Sequence, residues 1–152
     1  MRIWVDADAV PNEIKDIIVR ASRRLSLETV LVANKNLRTG PSSLVSSVKV
    51  KQGEDVADFY ILTESAKGDL CITADIPLAA ELVEKGLVVL DPRGETYDAD
   101  NVRERLAVRD FMAGLRESGV QTGGPPPFNA QAKQKFAARF DAALTKAVRA
   151  QR

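Results

Sequence analysis

The chain has no histidine and a single cysteine among its 152 residues. Without imidazole, Ser-His and Cys-His nucleophiles and all His-ligated zinc sites are excluded; with one thiol, so are a structural zinc cluster and an internal disulfide. Cys71 lies in the apolar run Leu70-Cys71-Ile72, where a buried, inert thiol is expected. A lone cysteine fits a reducing compartment, so a cytoplasmic location is expected. No apolar run approaches the ~20 residues of a membrane span. The opening Met1-Arg2-Ile3-Trp4-Val5 reads as a strand rather than a charged-then-apolar leader, so no signal peptide is expected. No Gly-rich phosphate loop follows a strand. Any chemistry must come from carboxylates, hydroxyls, lysines and arginines.

What is present is an ordinary globular mix, 45% hydrophobic and 28% charged. Its length suits one core, hence a single domain over 1–152. Net charge is +1, unevenly spread: residues 130–152 carry six Lys/Arg against Asp141, while the rest of the chain sums to −4. A basic terminal helix fits nucleic-acid contact, and it equally fits cations complementing a helix carboxyl end.

Apolar runs of strand length alternate with helical segments. Strands are expected at 3–5, 29–33, 48–50, 70–73 and 87–90. Helices are expected at 11–25, 56–66, 77–85 and 100–117, with Gly86 ending the third. Residues 34–43, with Gly40-Pro41, read as an exposed loop, and Asp91-Pro92-Arg93-Gly94 as a turn. Strands without polar alternation, separated by helices, imply a parallel sheet covered on both faces. The expected architecture is an α/β three-layer sandwich with a five-stranded parallel sheet, order 3-2-1-4-5, plus C-terminal helices. Residues 118–152 form a linker around Gly123-Gly124-Pro125-Pro126-Pro127 and a last helix capped by Asn129. Phe136, Phe140, Leu144 and Val148 recur every four residues in that helix, a stripe for docking onto the body.

Aspartates gather where the strands end. Asp6 and Asp8 follow the first strand two residues apart, so in an extended segment both point the same way. Asp55 and Asp58 open the helix after strand three, and Asp75 follows strand four. In an open α/β fold the carboxyl edge is where ligands bind. Clustered carboxylates need a bound cation or protonation. Mg or Mn suits such oxygen donors, and a pair of such ions about 4 Å apart can activate water against a phosphodiester. The competing reading is capping: Asp8, Asp55 and Asp75 each stand just before a helix. It leaves Asp6 and Asp58 unexplained.

Four segments carry a family resemblance: Val5-Asp6-Ala7-Asp8-Ala9-Val10-Pro11, Gly53-Glu54-Asp55-Val56-Ala57-Asp58-Phe59-Tyr60-Ile61, Gly68 through Ala79, and Arg105-Leu106-Ala107-Val108-Arg109-Asp110. Together they resemble the bacterial YaiI/YqxD family over nearly the whole chain. Val10 stands where that family usually has Cys, which argues against a thiol role there. A more distant resemblance is to PIN-like nucleases, whose pattern sets an Ile three residues after an Asp and a Thr-x-Asp after the next strand. Asp58, Ile61, Thr73 and Asp75 match it. That resemblance implies Asp6, Asp58 and Asp75 as metal ligands, Asp8 as a further one, and Thr73 as an orienting hydroxyl. It also implies a Mg- or Mn-dependent ribonuclease with RNA as partner.

Two alternatives stay open. One is a non-catalytic RNA- or protein-binding module on the same fold. The other is a haloacid-dehalogenase-like phosphatase, in which Asp6-Ala7-Asp8 would be the nucleophile and acid. Against the phosphatase stand the early helix after Asp8, the acidic Asp55/Asp58 motif preceding Thr73, and the lack of a lysine in the expected interval. Oligomeric state is not legible in the sequence.

Overall fold

A computed structural model describes residues 1–40, 43–53, 55–123 and 127–151. Strand β1 (Arg2–Asp6) runs into a single 3-10 turn at Ala7–Ala9 and then α1 (Asn12–Leu25). There follow β2 (Glu28–Ala33), β3 (Val45–Lys49), α2 (Val56–Glu64), β4 (Leu70–Ile72), α3 (Ile76–Lys85), β5 (Val88–Leu90), β6 (Thr96–Tyr97), α4 (Ala99–Glu117) and α5 (Ala130–Ala150).

The sheet order is β3-β2-β1-β4-β5-β6. The first five strands are parallel, with β1 central between β2 (Val5 opposite Leu31) and β4 (Val5 opposite Ile72). This is the order expected for those five. The sheet is mixed and six-stranded, however, not five-stranded and parallel, because β6 returns antiparallel against β5. The expected turn at Asp91 is its hinge: Gly94 N–H donates to the Asp91 carbonyl at 3.0 Å, with Gly94 at φ +89°. Strand three also begins earlier than its apolar residues suggest. It is an edge strand with one partner, so Ser46 and Ser47 occupy it without cost.

Alternation along β1 assigns the two faces. Ile3 and Val5 pack with Ile14 and Ile18 of α1 and with Phe136, Phe140 and Leu144 of α5. Trp4 points to the other side, among Ile61 of α2, Leu78 and Leu82 of α3, and Val102 of α4. Trp4 and Tyr60 meet edge to face at 6.3 Å. Cys71 is fully buried on that second side, and burial pushes its thiol well above its ordinary range.

Asn129 caps α5, its Oδ1 accepting from Ala132 N–H at 2.9 Å. Phe136 and Phe140 stack at 5.2 Å and are buried with Leu144. The stripe then shifts: Ala147, not Val148, is the next buried residue. At 3.6 residues per turn a strict four-residue repeat drifts off the contact line. Of the expected linker, Gly124, Pro125 and Pro126 lie outside the described residues, as do Pro41 of the expected loop and Glu54 of the second family segment. Among the described residues no helix is long and apolar enough to cross a membrane.

Candidate functional site

The parallel strands deliver their carboxyl ends to one edge, and the acidic residues follow from that. Asp6 is the last residue of β1 and only 8% exposed. Thr73, one residue past β4 and fully buried, donates its hydroxyl to Asp6 Oδ2 at 2.9 Å. Thr73 Oγ1 in turn accepts from the Asp75 N–H at 3.0 Å. Thr73 thereby fixes both Asp6 and the start of α3. Asp75 is a genuine cap, accepting from Leu78 N–H at 2.9 Å.

Asp8 departs from expectation. It does not continue an extended segment, because the chain coils into the 3-10 turn immediately after Asp6. Nor does it cap α1, whose N-cap position is Pro11 with no side-chain bond. Instead, Asp8 Oδ2 accepts from Asn34 N–H at 2.8 Å, tying the turn to the loop after β2. Asp55 is not a side-chain cap either; it sits in the left-handed region at φ +62°. That conformation is uncommon for a residue with a Cβ, and aspartate is among the few that tolerate it.

Asp6, Asp8, Asp55, Asp58 and Asp75 all line one cleft of about 460 Å³, together with Arg109 of α4. Within it, Asp55, Asp58 and Asp75 each present a carboxylate oxygen, all within 4.8 Å of one another. Asp6 and Asp8 border this triad without joining it. Burial pushes Asp58 up to about 7, reinforced by a hydrogen bond with Asp75 and by the charges of Asp75, Asp6 and Asp55. Asp6 is also raised, mainly by burial and further by Asp75 and Asp8, with the Thr73 hydroxyl opposing. Among the described residues no Lys or Arg forms an ion pair with any of the five; Arg109 pairs weakly with Asp110 at 3.4 Å.

Sequence reasoning did not assign Asp55 as a ligand, and it missed Arg109 as part of the site. Both lie inside the motif segments, but a capping role concealed the first, and the second stands 34 positions after Asp75. The flap a haloacid-dehalogenase-like phosphatase needs after Asp8 is replaced by the 3-10 turn and α1. Lys85 is turned elsewhere, onto the carbonyls of Leu62 and Ser65.

The sequence model described as "Uncharacterized BCR, YaiI/YqxD family" matches residues 4–146, a span that holds every one of these groups. The chain belongs to this family. A UPF0178 protein of Myxococcus xanthus is 55% identical over 149 residues, covering 98% of this chain and 97% of its own. One from Yersinia enterocolitica is 51% identical over 151 residues, covering 99% of each. One from Shewanella sp. (strain ANA-3) is 56% identical over 140 residues, covering 92% and 93%. Family membership therefore extends over the whole described fold, the cleft and α5 included.

Proposed function

We propose that this YaiI/YqxD family member is a PIN-like, divalent-cation-dependent ribonuclease working on single-stranded RNA phosphodiesters. The observation that carries this reading is the uncompensated carboxylate cleft, in which Asp58 is held near neutrality and no cationic side chain pairs with the cluster. The donor set fits the expected ion. It is all hard oxygen, which suits Mg or Mn and excludes soft-ligand metals. Asp55, Asp58 and Asp75 would hold the cation, with Asp6 and Asp8 at its border. When bound, the cation would neutralise the cluster and polarise a phosphodiester in the cleft.

The chain's own groups do the rest. Thr73 orients Asp6 and restrains the first turn of α3, so both carboxylates meet the substrate in fixed positions. Asp58, pushed up to about 7 by burial and by its like-charged neighbours, is the group whose ionisation a bound cation would favour most, so cation uptake and loss of its proton would be coupled. Arg109 supplies the cleft's positive wall and is placed to hold a phosphate oxygen.

The test combines Mn²⁺ titration with cleavage of labelled RNA and DNA oligonucleotides. RNA cleavage should require Mg²⁺ or Mn²⁺ and disappear in Asp6→Asn. Cleavage that persists in that variant would belong to a contaminant. Oligonucleotide binding without cleavage or Mn²⁺ uptake would favour the second reading, a non-catalytic RNA-binding module, which the basic α1 and α5 helices support.

A further inference from the structure

The two helical layers carry opposite charge. Helices α1 and α5, on one face of the sheet, hold nine Lys/Arg against three Asp/Glu, while α2, α3 and α4 hold five against eight. On the positive layer, Arg20 and Arg23 of α1 and Arg38 of the loop after β2 line a groove of about 350 Å³ with Asp16, Thr39 and Gly40. Among the described residues none of these three guanidinium groups forms an ion pair or a hydrogen bond. Asp16 shares the groove without coming within ion-pair distance of them. Gly40, at φ +74°, lets Arg23 lie against the loop: a Cβ there would sit 2.8 Å from Arg23 Nη2.

The loop that supplies Arg38 is tied to the wall of the acidic cleft. Asp8, on the cleft wall, is bonded to Asn34, and Lys35 follows it. Lys15 stands close enough to both Asp8 and Lys35 to feel their charges; its pKa is lowered by burial and by Lys35, against the pull of Asp8. From Lys15 to Arg23 the helix advances about 12 Å. Cations thus begin at the lip of the cleft and continue along α1 and the facing loop.

We propose that this groove is a track for the phosphate backbone of a single-stranded nucleic acid, guiding it into the acidic cleft. The proposal rests on the phosphodiester reading of that cleft for where the strand leads. Arginine forks match phosphate oxygens, and three unpaired ones in a row fit a polyanion better than a single ion. Among the described residues no aromatic side chain lines the groove, so the contact is to the backbone. Binding is therefore tolerant of sequence and strongly salt-dependent.

The experiment is fluorescence anisotropy with a labelled oligouridylate of about 12 nucleotides, in EDTA so that no cation-dependent step contributes, across a salt series. Joint Arg20→Gln, Arg23→Gln and Arg38→Gln should weaken binding about tenfold or more and flatten the log–log salt slope by ~2, as expected for three lost phosphate contacts on a single strand. Arg103→Gln with Arg116→Gln, on the opposite layer, should change affinity less than about twofold. These arginines are exposed, so melting temperature should hold and report intact folding. Undiminished binding by the triple variant would overturn the track, as would failure of the intact protein to bind the oligonucleotide. Inorganic phosphate binding as tightly as the oligonucleotide would reduce the groove to a small-anion pocket and likewise overturn it. Asp6→Asn separates the two readings: it should abolish cleavage with Mn²⁺ yet leave binding in EDTA undiminished, so the cleft reading can fail while the track survives.

Discussion

Asp69 and Asp58 are both aspartates beside the inner sheet, at opposite ends of it, and their surroundings could hardly differ more. Asp69, at the amino end of β4, is 7% exposed and accepts three N–H groups: Arg2 backbone at 3.0 Å, Trp4 indole at 3.0 Å and Ala66 backbone at 2.9 Å. Amino ends of strands and turns offer donors, so a carboxylate there is absorbed into the structure. At the carboxyl end, Asp58 faces Asp55, Asp75 and Asp6 and is pushed to about 7. One end uses a buried acid as a fastener; the other keeps acids under mutual repulsion. The contrast teaches that burial alone does not make an aspartate a candidate for function. The balance of donors against like charges does.

The contrast can be broken most forcefully at the amino end. Asp69→Ala leaves the Trp4 indole and two backbone N–H groups without an acceptor, and should cost ~3 kcal/mol, or about 6–12 °C in melting temperature. Urea denaturation showing Asp69→Ala as stable as the parent would remove the distinction between the two ends. Next in size is Thr73→Val, which keeps the shape but deletes the donor to Asp6 and the acceptor for Asp75 N–H. A loss of ~2 kcal/mol is expected, measured the same way.

Asp58→Asn should act in the opposite direction. The folded Asp58 keeps its proton to about pH 7, whereas the unfolded one releases it near the ordinary 3.8. Between those values the folded state binds more protons, so stability falls as pH rises through the window. Asparagine mimics the protonated form. The metal-free variant should match the parent near pH 4 and exceed it near pH 8 by on the order of 1 kcal/mol, a figure reduced for screening of a part-exposed group. Asp6 and Asp91 are shifted upward too, so some slope should remain. Thermal melts across this range check it, and Mn²⁺ should flatten the parent's slope. A variant that is less stable at pH 8 would place Asp58 with Asp69. The smallest effect is expected for Asp75→Ala. Losing a cap costs ~1 kcal/mol, and relief of repulsion offsets part of it, so the net change in a melt should stay below that.

Much of this layout is legible in the sequence because parallel strands buried on both faces must be continuous apolar runs. Thr29-Val30-Leu31-Val32 and Leu70-Cys71-Ile72 declare themselves that way. β6 does not: two residues, Thr96 and Tyr97, are too few for any periodicity. The start of β3 is masked by serines that only an edge strand accepts. At the site, Asp6, Thr73 and Asp75 follow from strand ends, and Asp58 from the first turn of the helix after the third strand. The bond from Asn34 to Asp8 and the position of Arg109 depend on tertiary placement, which spacing cannot reveal.

The central position of β1 also governs the order in which the molecule can come together during synthesis. β1, α1, β2 and β3 are adjacent in the chain and can associate as soon as residue 49 is free. The second edge of β1 must wait for β4, which begins at residue 70, and the α1 side of the sheet is only partly covered until Phe136, Phe140 and Leu144 arrive. At about 5–20 residues per second, the gap between β3 and α5 lasts roughly 4–16 s. For that interval, Ile14, Ile18 and Leu31 lack the cover of α5. The acidic cleft cannot exist before Thr73 and Asp75 meet Asp6, so a nascent chain cannot gather the full acidic set until β4 has docked.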